Sequence, residues 1–124
     1  MKFAICAHCG NVVEFVHDAG VSLSCCGEKM KVLTPNTTDA ATEKHVPQVE
    51  VNGQEVKVTV GSVLHPMTEA HLIQWIALET KEGVQIKHLN HEQAPVATFA
   101  LSSGDAPVAA YEYCNLHGLW KKDI

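Results

Sequence analysis

Five cysteines and eight histidines in a chain of 124 residues concentrate the side chains that bind transition metals. Four of the cysteines fall within the first 26 residues, as Cys6-Ala7-His8-Cys9 and then the adjacent pair Cys25-Cys26. A C-x2-C turn lets two thiolates converge on one ion. Two more sulfurs about fifteen residues later complete a tetrahedral all-sulfur site suited to zinc or iron, and ligand type alone does not separate the two. The adjacent pair is unusual, because neighbouring ligands strain the angles at the metal. The competing chemistry for Cys6 and Cys9 is a redox dithiol, which normally follows a strand within a larger α/β pattern that this chain lacks.

A second constellation lies downstream. Cys114-Asn115-Leu116-His117-Gly118 presents a thiol and an imidazole from one short loop, His65-Pro66-Met67-Thr68-Glu69-Ala70-His71 carries an imidazole at each end, and His45 stands in Glu43-Lys44-His45-Val46-Pro47. Taken singly, a loop histidine is usually solvated and a lone cysteine is usually a small buried hydrophobe. Three such segments converging at one end of a β-sandwich would instead enclose an ion. His8, His17, His88 and His91 have no comparable support and read as surface or packing residues. Met67 and Trp75 read as core or rim.

The elements that must position these residues are strands. In residues 1–36, Val12, Val13, Phe15 and Val16 are strand-like, Asp18-Ala19-Gly20 is a turn, and Val21-Ser22-Leu23 is a short return. So few apolar residues make no independent core, so metal binding would serve as folding energy. A polar linker, Thr34 to Thr42, follows. Residues 37–124 then show alternating runs around Asn52-Gly53, a hairpin signal, and further strands over Leu72–Leu78, Val84–Leu89, Val96–Leu101 and Val108–Tyr113. The fold class is therefore mainly β, a small metal knuckle followed by an immunoglobulin-like sandwich.

Composition narrows the function classes. A formal net charge of −5 argues against nucleic-acid binding through a general basic surface. No apolar run reaches the roughly 18 residues of a membrane span. Met1-Lys2-Phe3-Ala4-Ile5 meets Cys6 at once, leaving no apolar stretch for an export signal. Together with the thiol load this gives the expectation of a reducing cytoplasm.

Cys6-x2-Cys9-x15-Cys25-Cys26 resembles the desulforedoxin-type (rubredoxin-like) FeS4 centre, adjacent pair included. Glu43-Lys44-His45-Val46-Pro47, His65-Pro66-Met67, His71 and Cys114-Asn115-Leu116-His117-Gly118 are similar, in order, to the catalytic motifs of the desulfoferrodoxins, the two-iron superoxide reductases. The resemblance spans essentially the whole chain. It implies a second iron with four equatorial nitrogens from His45, His65, His71 and His117 and an axial thiolate from Cys114. The position opposite sulfur would be open to superoxide. It also implies Lys44 as the cation beside that position and Glu43 as a residue that can close it. Adjacent residues of an extended chain point to opposite sides, so an exchange of the two would require this loop to move. The implied reaction is one-electron reduction of superoxide to hydrogen peroxide, supplied by a small carrier such as rubredoxin, in a homodimer. Mixed imidazole and thiolate ligation suits ferrous iron. Two other classes stand beside it: a non-catalytic electron-transfer protein, blue-copper-like with an added all-sulfur site, and a zinc-ribbon interaction module whose histidines are incidental.

Overall fold

The computed structural model describes residues 1–124. The chain is mainly β and divides into two compact units, Met1–Thr34 and Pro35–Ile124. The expected division after residue 36 falls two residues beyond that break, because Asn36 belongs to the second unit. Its N–H donates to the Leu119 carbonyl at 3.1 Å, its Nδ2 donates to the Lys121 carbonyl at 3.1 Å, and its Oδ1 accepts the Lys121 N–H at 2.8 Å.

In the first unit, β1 (Phe3–Ile5) is flanked by β2 (Val12–Glu14) and β5 (Lys31–Val32) in a three-stranded antiparallel sheet. The hairpin β3 (Ser24–Cys25) to β4 (Glu28–Lys29) stands apart from it. Only Phe3, Ala4 and Cys6 are buried here. Two expected strand stretches are not strands. β2 stops at Glu14, and Val21–Leu23 is irregular, because Asp18 Oδ1 accepts the Gly20 N–H at 2.8 Å and folds residues 17–20 into an exposed turn.

The second unit is a seven-stranded antiparallel sandwich. One sheet has the order β10 (Val96–Ala100), β7 (Glu55–Val60), β6 (Pro47–Asn52). The other has β12 (Gly118–Asp123), β11 (Pro107–Cys114), β8 (Ile73–Thr80), β9 (Val84–His88). Strict alternation on β7 turns Val56, Val58 and Val60 inward, fully buried, and leaves Glu55 and Lys57 in water. They pack with Ile76, Leu78, Ala97, Phe99, Leu101 and Ala110, and Cys114 belongs to the same apolar cluster. No helix is long and apolar enough to cross a membrane.

Three local features differ from expectation. The β6–β7 loop is Gly53-Gln54 rather than Asn52-Gly53. Gly53, at φ 60°, takes the first central position, where a type II′ turn places glycine. The C-terminal strand β12 is an addition to the expected set, since its sequence ends in the polar run Lys121-Lys122-Asp123. And residues 42–45 are a single helical turn, α1 (Thr42–His45), rather than extended chain. Pro47 forces Val46 into the extended region (φ −68°, ψ 122°), which stops the turn directly after His45.

Gly61 seats that turn. A Cβ there would lie 2.6 Å from the Glu43 carbonyl oxygen and 3.0 Å from the Lys44 carbonyl carbon. The same Glu43 carbonyl accepts the Val63 N–H at 2.9 Å and the Ser62 hydroxyl at 3.2 Å. Gly61→Ala is therefore expected to lower stability by about 1–3 kcal/mol through overpacking. Gly83→Ala, which meets nothing within 4 Å, should stay within about 0.5 kcal/mol of wild type. Thermal unfolding of the two variants checks the contrast; equal midpoints would show that the turn shifts freely.

Candidate metal centres

The first cluster is made by local turn chemistry. Cys9 N–H points at the Cys6 sulfur at 3.4 Å, and Gly10, at φ 81°, lets its N–H return to the Cys6 carbonyl at 3.0 Å. The adjacent cysteines are accommodated by a hairpin. Cys25 pairs with Glu28, and the two loop residues Cys26 and Gly27 both have positive φ, 52° and 75°, as a type I′ turn requires. All four sulfurs lie within 4.8 Å of one another, with Cys9 to Cys25 at 3.6 Å and Cys25 to Cys26 at 4.0 Å. A tetrahedron with metal–sulfur bonds of about 2.3 Å has edges of about 3.8 Å. The backbone N–H groups of Cys9 and His8 draw the Cys6 thiol down to about 6, whereas the surrounding sulfurs push Cys26 up to about 12. Four thiols this close ionise together only around a cation, so the set fits a metal.

The second cluster is assembled from distant segments. His45 ends α1, His65 and His71 lie on the β7–β8 loop, Cys114 ends β11, and His117 closes the β11–β12 turn. Cys114 pairs with Gly118 across that turn, and Gly118 adopts φ 77°, the left-handed residue that follows a three-residue hairpin loop. On its other side β11 shifts register between Tyr113 and Cys114, β8 carrying the extra residue Gln74. The five donor atoms lie within 4.8 Å of one another.

Ring orientation identifies the donor atoms. His45 Nδ1 is 2.7 Å from the Ala41 carbonyl and His65 Nδ1 is 2.7 Å from the Pro66 carbonyl, so each Nε2 carries the free lone pair. His71 Nε2 is buried with no partner. His117 instead turns Nδ1 inward, 3.1 Å from His45 Nε2, while His65 Nε2 is 3.2 Å from His45 Nε2. Nitrogens about 2.1 Å from a metal lie about 3.0 Å apart at right angles and about 3.4 Å apart in a tetrahedron. The His45–His117 separation is closer to the right angle, and the His45–His65 separation lies midway. The rings follow one another edge to face in the cycle 45–65–71–117, with centroids 4.7, 4.6, 5.1 and 4.9 Å apart. Cys114 Sγ lies 3.4 Å from His65 Nε2 and 3.8 Å from His117 Nδ1. A cavity of about 330 Å³ is lined by Ala40, Ala41, Lys44, Pro66 and all four histidines but not by Cys114. Four nitrogens with one sulfur and an accessible face fit an iron with an open position.

Lys44 thus lines the cavity and Glu43 does not. Glu43 is exposed on the helical turn with its carbonyl held by Ser62 and Val63. Trp120, which the sequence alone does not single out, stacks on the His45 ring at 4.9 Å and 26° and donates Nε1–H to the His117 carbonyl at 3.1 Å. Its position three residues after His117, beyond a glycine, is the one signal it carries. Met67, the sulfur a blue-copper site would need, accepts the Ile73 N–H at 3.3 Å instead. His8 contacts Glu28 at the surface; His17, His88 and His91 are exposed.

Burial pushes His65 down to about 4, and also lowers His45 and His71. All three are neutral, ligand-ready imidazoles at pH 7. Burial raises the Cys114 thiol, and the N–H groups of Leu116 and His117 pull it part way back. In the metal-free chain, a histidine depressed on folding contributes stability that is complete above its unfolded value of 6.5 and is lost as pH falls toward 4. For His65 the loss reaches up to about 3 kcal/mol. Glu112 works the other way: fully buried with both oxygens unpartnered, its carboxyl is held well above the usual range, and acid relieves it. The measurement is therefore a slope. Denaturation of the chelator-stripped chain between pH 7 and 4 should show His65→Gln losing less stability than wild type, and parallel slopes would contradict a buried neutral imidazole.

Residues 37–123 match the family model described as Desulfoferrodoxin, and residues 4–33 match that of the Desulfoferrodoxin N-terminal domain. The desulfoferrodoxin of Nitratidesulfovibrio vulgaris is 50% identical over 119 residues, covering 95% of this chain and 92% of that one. A desulfoferrodoxin homolog of Archaeoglobus fulgidus is 47% identical over 121 residues, covering 98% and 95%. Among solved structures, the superoxide reductase from Treponema pallidum superimposes with a TM-score of 0.83 at 45% identity, covering 98% of each chain. The superoxide reductase (1Fe-SOR) from Giardia intestinalis gives 0.56 at 34% identity, over 66% of this chain and 97% of that one. With a set of four cysteines and a set of four histidines and one cysteine in the places the resemblance implied, and both halves matched, the chain belongs to the desulfoferrodoxin family.

Proposed function

We propose that the chain is a superoxide reductase, taking one electron from a small reduced carrier such as rubredoxin and passing it to superoxide with two protons to give hydrogen peroxide. The observation that carries this is a cavity lined by all four imidazoles and not by Cys114. Ferrous iron, when held by the five donors, supplies the electron and a coordination site for the substrate. The rest falls to the chain. Cys114, buried and outside the cavity lining, would give the ion a thiolate that pushes electron density toward whatever binds it. His45 and His65 are fixed in one tautomer by backbone carbonyls, so their nitrogens keep their aim through turnover.

Lys44 handles the substrate's charge. The protein carries a net charge of −5, which repels a small anion at long range. Locally the cavity wall contains a lysine and no carboxylate, and Lys44 is close enough to depress both His45 and His71. A cation beside a low-dielectric wall focuses the field at the opening and offsets the global sign. The lysine also offers N–H donors to an oxygen anion in the cavity.

Two substitutions test these roles. Lys44→Ala should slow the bimolecular reaction with superoxide roughly tenfold and weaken its dependence on ionic strength, with both iron spectra intact. Pulse-radiolysis rates at several salt concentrations measure this, and an unchanged rate refutes the steering role. Cys114→Ser should abolish the thiolate-to-iron charge-transfer band while the absorption of the four-cysteine site stays. Loss of iron from both sites together would contradict two independent centres.

A further inference from the structure

His45 and His65 are steered through their own rings, each with Nδ1 against a backbone carbonyl. His71 is not. Its buried, unpartnered Nε2 is the atom left for the ion, and its ring is met edge to face by His65 and His117. The aim of this imidazole therefore depends on where the backbone sets it. On one side Thr68 closes a tight turn: its N–H donates to the His71 carbonyl at 2.9 Å and its Oγ1 accepts the His71 N–H at 3.1 Å.

The other support is a single carboxamide from a different segment. Asn115 Oδ1 accepts the Leu72 N–H at 3.0 Å and Asn115 Nδ2 donates to the Ala70 carbonyl at 2.9 Å. The Asn115 N–H completes the contact at the Leu72 carbonyl, 3.2 Å away. The peptide groups gripped are those on either side of His71. Asn115 itself sits between Cys114 and His117, in the hairpin loop that supplies two other donors. An amide side chain alone combines an acceptor and a donor at this reach; Asp has only acceptors, and Leu of similar size has neither.

We infer that Asn115 is the positioning residue for His71, tying the fourth imidazole to the loop that carries the sulfur so that both reach the ion in fixed relation. The inference rests on the five-donor metal site proposed above. It does not depend on superoxide being the substrate. Without the carboxamide, the His71 loop keeps the Thr68 turn and the backbone pairing of β8 with β11 but loses the grip on the two peptide groups that flank His71, so the loss should fall on metal binding first.

The test loads the full chain with Co(II) in competition with a chelator and follows its thiolate charge-transfer and ligand-field bands. Asn115→Ala should weaken Co(II) at the five-donor site about 10- to 100-fold and alter those bands, leaving the cobalt spectrum of the four-cysteine site unchanged. Asn115→Asp, which keeps the Leu72 bond and loses the Ala70 bond, should weaken binding in the same direction. Leu101→Ala, a core truncation beside the β6–β7 turn, where the Leu101 N–H donates to the Gln54 carbonyl, serves as the stability control and should lower the unfolding midpoint without moving the bands. Wild-type affinity and bands in both Asn115 variants would overturn the inference, as would an equal loss in Leu101→Ala. A wild-type chain that binds Co(II) through five donors yet, when loaded with ferrous iron, leaves superoxide unreduced would sink the proposed function and leave the role of Asn115 standing.

Discussion

A thiolate does not stay ionised in an apolar core unless a cation stands beside it, and the catalytic half of this molecule is organised around that fact. Cys114 is fully buried and shares its cluster with Val58, Phe99 and Leu78. Burial raises it, and Glu112, two residues earlier and equally buried, adds to the cost of a negative sulfur. Two backbone N–H groups offset only part of this. A divalent ion resolves the conflict, and neutral imidazoles can join it without adding charge. The sulfur is thereby fixed by the buried end of a core strand, whereas the nitrogens arrive on loops and one helical turn.

The two metal sites solve the same problem by different physics. In the first unit the donors are close in sequence, and positive-φ residues at Gly10, Cys26 and Gly27 do the folding. With only three buried residues there, the free energy of metal binding is the main source of order. The second unit has a conventional core of inward valines packed with other aliphatic residues and Phe99, so its donors can be brought from positions 45 to 117 at the cost of long loops. That division also explains the different shapes. Short turns bring four sulfurs to one point, while loops packed on one end of a sandwich bring five donors together beside an accessible cavity.

Much of this is legible in residue type and spacing. Cys6, Cys9, Cys25 and Cys26, and the histidines with Cys114, stand out because metal ligation restricts which side chains serve and how far apart they fall. The alternating strand β7 shows its inward face by its period of two, and β8 shows itself as a continuous apolar run that is buried on both faces. What cannot be read is conformation too short to have a period. The turn at Thr42–His45 spans four residues and has no side-chain cap, so its sequence suggests an extended chain with Glu43 and Lys44 on opposite sides. In the helical turn Lys44 meets the cavity and Glu43 does not. β12 escapes notice because its polar end hides the buried pair Leu119-Trp120. Trp120 is hidden with it.

The stretch that reads as a mere linker shows how a sequence can conceal a wall. Thr34 to Thr42 has no hydrophobic period, yet Asn36 locks it to the edge of β12 as a neighbouring strand would. From there the chain runs to Ala40 and Ala41, which line the cavity, and the Ala41 carbonyl orients His45. Small side chains suit that place. An alanine leaves room above the imidazole plane, offers no carboxylate to repel an anion, and keeps its carbonyl free for the ring. Lys44, three residues after Ala41, then stands as the one charged residue of the lining. On the proposed function, a small anion would meet a surface that repels it overall and attracts it at this opening.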